Sequence, residues 1–181
     1  MKNRISAFLT FCLFLTFLFG QERTVYQTRH WHPKPLKSKS METAISTKTK
    51  KYNVGNDNYP MYSFRVITGK NQGAILRVSP RKSFADRDKY PTRKSEIDYW
   101  QKYVIPYVDM SKDEGTGIWL EMEDHSYNGS ENTDRLRYRQ VTEYLIRPAK
   151  MREWIELRNK LVEAHIKTNS KARFRHFNRI S

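Results

Sequence analysis

The densest run of side chains suited to acid–base or metal chemistry is Glu121-Met-Glu-Asp-His125. The alternation of residues 117–124 predicts a strand, with Glu121 and Glu123 on one face and His125 at its end. Two carboxylates and an imidazole held together could transfer protons or bind a metal ion. A half-buried strand whose acidic face pairs with the chain's own basic residues has the same pattern and is the simpler interpretation.

His30 and His32 are a second pair of potential ligands, since residues two apart share one face of an extended segment. Zinc usually takes three or four protein ligands, and no companion cluster lies nearby in the sequence. Two histidines alone do not make a site, so we expect surface or packing histidines here and no cofactor.

The C-terminal segment 167–181 combines basic residues with aromatic rings and contains no acidic residue. Such a segment is typical of a flexible tail that binds a polyanion through charges and stacked rings. A solubilising tail, or a last helical turn packed by its two phenylalanines, remains an alternative. The predicted contact residues are Lys167, Lys171, Arg173, Phe174, Arg175, Phe177 and Arg179.

The formal net charge of +15 is concentrated at the two ends of the chain. Residues 21–51 hold eight basic and two acidic side chains, and residues 147–181 hold ten and three. The middle is balanced, which indicates a globular body with basic ends. We therefore expect an anionic polymer or membrane surface as partner, and no specific protein partner can be inferred.

An apolar run from Ile5 to Phe19 follows Lys2 and Arg4 and precedes Gly20. This layout predicts a secretory signal peptide cleaved after Gly20. Leu18 stands where a small residue is preferred, so an uncleaved membrane anchor formed by residues 5–19 is the alternative. Cleavage would remove the single cysteine, and an exported chain without disulfides is typical of bacterial export to the periplasm or beyond.

Apolar periodicity predicts one small α+β domain, a β-hairpin plus one further strand packed with about three helices. The predicted organisation is a signal peptide at 1–20, an N-terminal arm and basic linker at 21–51, the domain at 52–166 and the tail at 167–181. The predicted elements are strands at 61–68, 74–79 and 117–124, a helix opened by Ser95, a helix begun near Asn132 or Thr133, and a helix from Pro148 to about residue 166.

The composition excludes collagen, coiled-coil arrays and polytopic membrane proteins. No nucleophile elbow, metalloprotease helix, P-loop or paired Cys motif is present. We therefore expect an exported, non-enzymatic binding or envelope-associated protein whose basic tail contacts an anionic polymer or surface. The alternatives are a small exported hydrolase, metal-assisted or not, that uses Glu121, Glu123 and His125, and a membrane-anchored structural protein.

Overall fold

A computed structural model describes residues 23–54, 59–91, 93–128 and 138–180. They form one small α+β domain with a five-stranded antiparallel sheet in the order β2-β3-β1-β4-β5. The strands are β1 Val25–Trp31, β2 Tyr62–Arg65, β3 Ile75–Arg81, β4 Gly117–Glu121 and β5 Phe177–Arg179. The α-helices are α1 Ser38–Tyr52, α2 Phe84–Asp88, α3 Lys94–Tyr99 and α4 Met151–Lys167.

The first four strands follow the split β-α-β-β-α-β arrangement. Helix α1 connects β1 to β2, and the helical segment 94–107 connects β3 to β4. That segment starts as α3, continues as a π-helical turn at Trp100–Val104 and ends in a 3₁₀ turn at Ile105–Tyr107. Pro106 explains the ending, because its ring cannot continue the helix.

The apolar core lies between one sheet face and these helices. Its buried members are Trp31, Met41, Ile45, Ile75, Val104 and Val108. Register places β1 and β3 side chains in alternation, so Trp31 lies beside Ile75 on this face. Trp31 also packs edge-on against Trp100, with ring centroids 4.9 Å apart. This aromatic contact ties the centre of the sheet to the helical segment 94–107.

The predicted hairpin and third strand are confirmed. β2 pairs with β3, and Gly69 and Gly73 adopt positive φ angles in the loop between them. Positive φ favours glycine, which is why two glycines bound this turn. The third predicted strand is β4, and the last predicted helix is α4 with a 3₁₀ turn at Pro148–Lys150 before it.

The predicted linker and arm are wrong. Residues 38–52 form helix α1, and its Met41 and Ile45 are fully buried. The arm contains β1, which lies in the middle of the sheet between β3 and β4. Most lysines and threonines of α1 lie on its outer side, and a search for long apolar periods does not detect the short buried stripe between them.

The helical segments also differ from prediction at two places. α3 begins at Lys94 after Arg93, without a side-chain cap, so the capping role expected of Ser95 is wrong. The Ser95 carbonyl instead accepts a hydrogen bond from the Tyr52 hydroxyl at 3.0 Å. The helix expected from Asn132 or Thr133 starts outside the described residues, and residues 138–147 are not helical.

The segment 138–147 runs over the sheet face opposite α1. Arg139 lies over the ring of Phe64 at 5.3 Å, and Phe64 shares that face with Leu76. Most of the segment's side chains are exposed, including those of Val141 and Leu145. The residues expected to form a signal peptide or anchor lie outside the described residues, and no described helix is long and apolar enough to cross a bilayer.

Candidate functional site: a buried cationic cluster

One half of the domain interior is charged rather than apolar. On α1 the buried residues are Met41, Ile45, Lys48 and Tyr52, so a lysine continues the core stripe. On β3 the inward positions after Ile75 are Arg77, Ser79 and Arg81, all of them buried. We call Lys48, Arg77, Arg81, Tyr90 and Glu96 the cationic cluster.

Lys48 and Glu96 form the centre of this cluster. The Lys48 ammonium pairs with Glu96 Oε1 and donates to Asn53 Oδ1 at 2.7 Å. The Tyr90 hydroxyl donates to the same carboxylate, 2.8 Å from Oε1. Burial lowers the pKa of Lys48, and the hydrogen bond to Glu96 opposes that shift. Burial raises the pKa of Tyr90, so its phenol keeps its proton and acts as a donor.

Arg77 is buried without a carboxylate hydrogen-bonded to it. Its side chain lies between β3 and α1, the residue is 5% exposed, and Nη1 donates to Thr49 Oγ1 at 3.2 Å. Nη2 is buried and has no hydrogen-bond partner among the described residues. Burial lowers the pKa of Arg77 to about 10, which leaves the guanidinium charged at neutral pH.

Arg81 adds a third buried cation. Its guanidinium lies 4.9 Å from the ring of Tyr59 and 5.2 Å from that of Tyr90, and Nη1 donates to the Pro80 carbonyl at 2.8 Å. Within the cluster, Lys48 and Arg77 lie near the carboxylate of Glu96, and the charge of Asp86 acts on Arg81, so among the described residues two carboxylates face three cations. Because an uncompensated buried charge is costly, an excess of this kind suits a site that receives an anion.

A groove of about 350 Å³ lies beside the cluster, between α1 and the β2–β3 edge. Ile45 and Ile75 give it an apolar part, and Thr49 gives it the hydroxyl that accepts from Arg77. Glu42 and Arg65, which form an ion pair, also line it. Thr49, which lines the groove and accepts from Arg77 Nη1, connects the groove to the cationic cluster.

This chain has a distant structural likeness to a solved structure. No protein-family model and no curated protein matches this chain. The crystal structure of an uncharacterized NIPSNAP-like domain protein from Burkholderia xenovorans is similar to it, with a TM-score of 0.45 and 8% sequence identity. The likeness covers 71% of this chain and 99% of that chain.

The acidic residues expected to act together are separated in the structure. Glu121 is buried, accepts from the Tyr26 hydroxyl at 3.1 Å and lies 3.5 Å from Nε of Arg175. Burial, followed by the charge of Glu121, raises the pKa of Tyr26 to about 12, which keeps this donor protonated. Glu123 is exposed at the start of the 3₁₀ turn Glu123–His125. Glu121 thus pairs with a basic residue of the tail, as the simpler interpretation expected.

His30 lies in β1 and His32 directly follows that strand. His30 lies half-buried in β1 on the face opposite α1, and burial lowers its pKa. The carbonyl of His32 accepts from the backbone amide of Asp109 at 2.8 Å, so this residue anchors the chain after β1. The described part of the chain contains no group of three or more His, Cys, Asp or Glu side chains placed to hold a metal ion.

The C-terminal segment is packed rather than wholly flexible. Phe177 lies in β5 and packs edge-on against Tyr26 at 5.0 Å, while Phe174 lies 5.3 Å from the ring of His165. The rings expected to stack on a ligand are therefore occupied by the domain. The side chains of Lys167, Lys171 and Arg173 are exposed. Arg179 stacks over Trp119 at 5.5 Å.

None of the cationic cluster residues was singled out from sequence. The alternation Ile75, Arg77, Ser79, Arg81 already places the two arginines on the face of the buried isoleucine. The spacing of Met41, Ile45 and Lys48 gives the lysine the same helical face. A search for charged residues at otherwise apolar positions would have found three members, whereas Tyr90 and Glu96 are brought in only by the fold.

Proposed function

We propose that this protein binds a small ligand through an acidic group, a carboxylate or a phosphate, in the cationic cluster. The observation that carries the proposal is Arg77, a charged side chain that is 5% exposed and whose Nη2 has no partner among the described residues. Hydrogen bonds from a guanidinium to an oxyanion are among the strongest that proteins make. The cluster lies inside the domain, which suits a small ligand rather than a polymer.

Each member of the cluster has a distinct part in binding. Arg77 donates to the anion through Nη2, while its Nη1 stays fixed on Thr49. Glu96 holds Lys48 and Tyr90, and Asp86 acts on Arg81, so among the described residues two carboxylates face three cations. The remaining positive potential draws the anion in, and the apolar part of the groove at Ile45 and Ile75 takes the ligand's body.

Thermal unfolding with phosphate and with acetate as probes tests this function. A ligand at about 100 times its Kd adds about 2.7 kcal/mol to the free energy of unfolding, so saturable stabilisation of the wild type by either anion is expected. Arg77→Gln should abolish it, and Arg77→Lys should keep part of it. Arg152→Gln is the matched control, because Arg152 is an exposed arginine of α4. Absence of saturable stabilisation, or an unchanged response in Arg77→Gln, would contradict the proposal.

A second candidate function is electrostatic binding of an anionic polymer or surface at the C-terminal segment, by an exported protein. The favouring observation is that Lys167, Lys171 and Arg173 are exposed while the neighbouring phenylalanines pack inward. Replacing all three with glutamine leaves that packing in place. Salt-dependent binding to DNA, a sulfated polysaccharide or anionic vesicles should weaken in this variant and lose part of its salt slope. Equal binding by both proteins would remove this candidate.

The second candidate function includes export of the protein through a signal peptide at residues 1–20. The supporting pattern is two basic residues followed by the apolar run 5–19. N-terminal sequencing of the protein recovered from the periplasm or medium should begin at Gln21. Recovery of the intact N-terminus in the membrane fraction would favour the anchor instead.

A further inference from the structure

A second group of buried nitrogen atoms lies away from the cationic cluster and shares no residue with it. It consists of His125, Arg158 and His176, which we call the histidine cluster. His125 ends the 3₁₀ turn after β4, Arg158 projects from the middle of α4, and His176 immediately precedes β5. Three separate parts of the chain therefore bring these side chains together.

The three residues of the histidine cluster contact one another and the aromatic residues around them. The rings of His125 and His176 have centroids 5.7 Å apart, and Arg158 Nη2 donates to the His125 carbonyl at 3.4 Å. Aromatic side chains surround the group. The Arg158 guanidinium lies 4.8 Å from the ring of Phe174, and Trp154 packs edge-on against His176 at 6.1 Å.

Three nitrogen atoms of the cluster are buried without a partner among the described residues. They are Nδ1 of His125, Nδ1 of His176 and Nε of Arg158. His125 is 8% exposed, so water from bulk solvent does not reach its ring freely. Buried polar atoms normally have hydrogen-bond partners, and three buried nitrogen atoms without one among the described residues make this group a candidate ligand site.

The charges of Arg158 and His176 determine which kind of ligand the histidine cluster can bind. Burial, the charge of Arg158 and the neighbouring His125 lower the pKa of His176 to about 4, so this ring is neutral at neutral pH. A neutral imidazole carries one N–H, which can stand on Nδ1 and donate, and Arg158 Nε always donates. The guanidinium charge repels a metal cation and attracts an anion. Three donors around one positive charge suit an oxyanion.

We propose that His125, His176 and Arg158 bind the carboxylate group of a small organic acid, with the aromatic side chain of Trp154 against its apolar body. The carboxylate oxygens accept from Nδ1 of each imidazole and from Nε of Arg158. Phosphate would fit the donors equally, but the aromatic surroundings favour an acid that carries an apolar part. Benzoate is therefore a suitable probe, with acetate and phosphate as comparisons.

Nitrogen NMR of the full chain labelled at histidine tests this site. Titration with benzoate should shift the ring nitrogens of His125 and His176 saturably and place a proton on both Nδ1 atoms. Arg158→Gln should weaken benzoate binding at least about tenfold, since one charge-assisted hydrogen bond contributes about 1.5–3 kcal/mol. Arg152→Gln on the same helix should leave binding unchanged, and Arg77→Gln should too, which separates this site from the proposed function.

Other outcomes would overturn the proposal. Ring nitrogens that do not respond to benzoate would indicate a buried water as the missing partner. A response to zinc with none to benzoate would assign a metal site instead. If Arg158→Gln fails to fold, His125→Phe and His176→Phe keep the aromatic packing, and unchanged benzoate affinity in both would overturn it equally. A shift caused by phosphate but not by benzoate or acetate would assign the site to a different anion.

Discussion

Burial of charged side chains without full pairing is the feature from which both proposed sites follow. Arg77 and Arg158 are guanidinium groups with nitrogen atoms that lack partners among the described residues, and His125 and His176 add two more such atoms. By contrast, the partly buried Arg29 forms an ion pair with Asp113. The contrast marks the orphaned atoms as candidates for ligand contact.

Sequence singled out one of these residues, His125, but with companions other than the residues it contacts in the structure. It was grouped with Glu121 and Glu123 because they are close along one strand. The structure turns the chain at residue 123, and His125 meets Arg158 and His176 from distant segments. Spacing along a chain predicts shared faces within an element, and it cannot predict which side chains meet across the fold.

His176 should make stability depend on pH in carboxylate-free buffer. Its pKa is about 4 in the folded protein and near the ordinary 6.5 in the unfolded chain. As pH falls below about 6.5 the unfolded state takes up the proton first, so the free energy of unfolding decreases toward pH 4. One proton gives at most about 1.4 kcal/mol per pH unit, and solvent screening of this half-buried ring makes the effect smaller.

Urea denaturation between pH 7 and pH 5 measures this effect. His176→Phe keeps the aromatic packing and removes the titrating group, so its stability should vary less with pH over this range. His32→Phe is the control, because that histidine lies at the far end of β1. Equal pH slopes for the wild type and His176→Phe would show that His176 does not sense this range.

Among the elements, those with simple patterns were predictable and α1 was not. The hairpin has two glycines at its turn and alternating β-branched and aromatic strands, so local chemistry defines it. α1 buries one narrow stripe in which Lys48 replaces an apolar residue, and its composition resembles a linker. The apolar residues of 138–147 suggested a helix, yet this part of the chain lies across the sheet without one.

Ile45→Ala tests whether α1 is part of the core. Ile45 is 2% exposed and belongs to the core with Met41 and Trp31. Removing its side chain should lower the free energy of unfolding by about 2–5 kcal/mol, the usual cost of such a cavity. Lys39→Ala on the outer side of α1 should change it by about 0.5 kcal/mol or less. Equal urea midpoints for the two variants would restore the linker interpretation.

At the scale of the whole molecule, the interior has an apolar half and a charged half. Trp31 and Ile75 mark the apolar end of the inner sheet face, and Arg77 and Arg81 mark the charged end. The apolar half stabilises the fold by burial, whereas buried charge costs free energy. The proposed anion would offset part of that cost, so under the proposed function anions should protect the protein against unfolding.

The C-terminal segment contributes to the fold, which its basic and aromatic composition alone does not indicate. β5 pairs with β4 through Trp119, Leu120 and Glu121, and the backbone amide of Ile180 donates to the Ile118 carbonyl at 2.9 Å. Phe174 and Phe177 pack on the domain. A deletion of this segment would thus disturb the fold as well as remove charge, which is why charge-neutralising substitutions are the better test of polymer binding.

A chain that ends at Lys171 should be much less stable than the full chain. The truncation removes β5, both packed phenylalanines and Arg175, and it leaves the buried carboxylate of Glu121 with the Tyr26 hydroxyl alone. Arg175 is partly exposed, so the loss of this pair costs less than the roughly 3–5 kcal/mol of a fully buried one, and the lost aromatic packing adds to it. Urea denaturation of the truncated chain should show this loss.

The variant with glutamine at 167, 171 and 173 is the control. Its free energy of unfolding should stay within about 1 kcal/mol of the wild type, because those side chains are exposed. Equal stability of the truncated and full chains would mean that the segment is a free tail. The sequence-based prediction of a flexible tail that binds a polyanion would then stand.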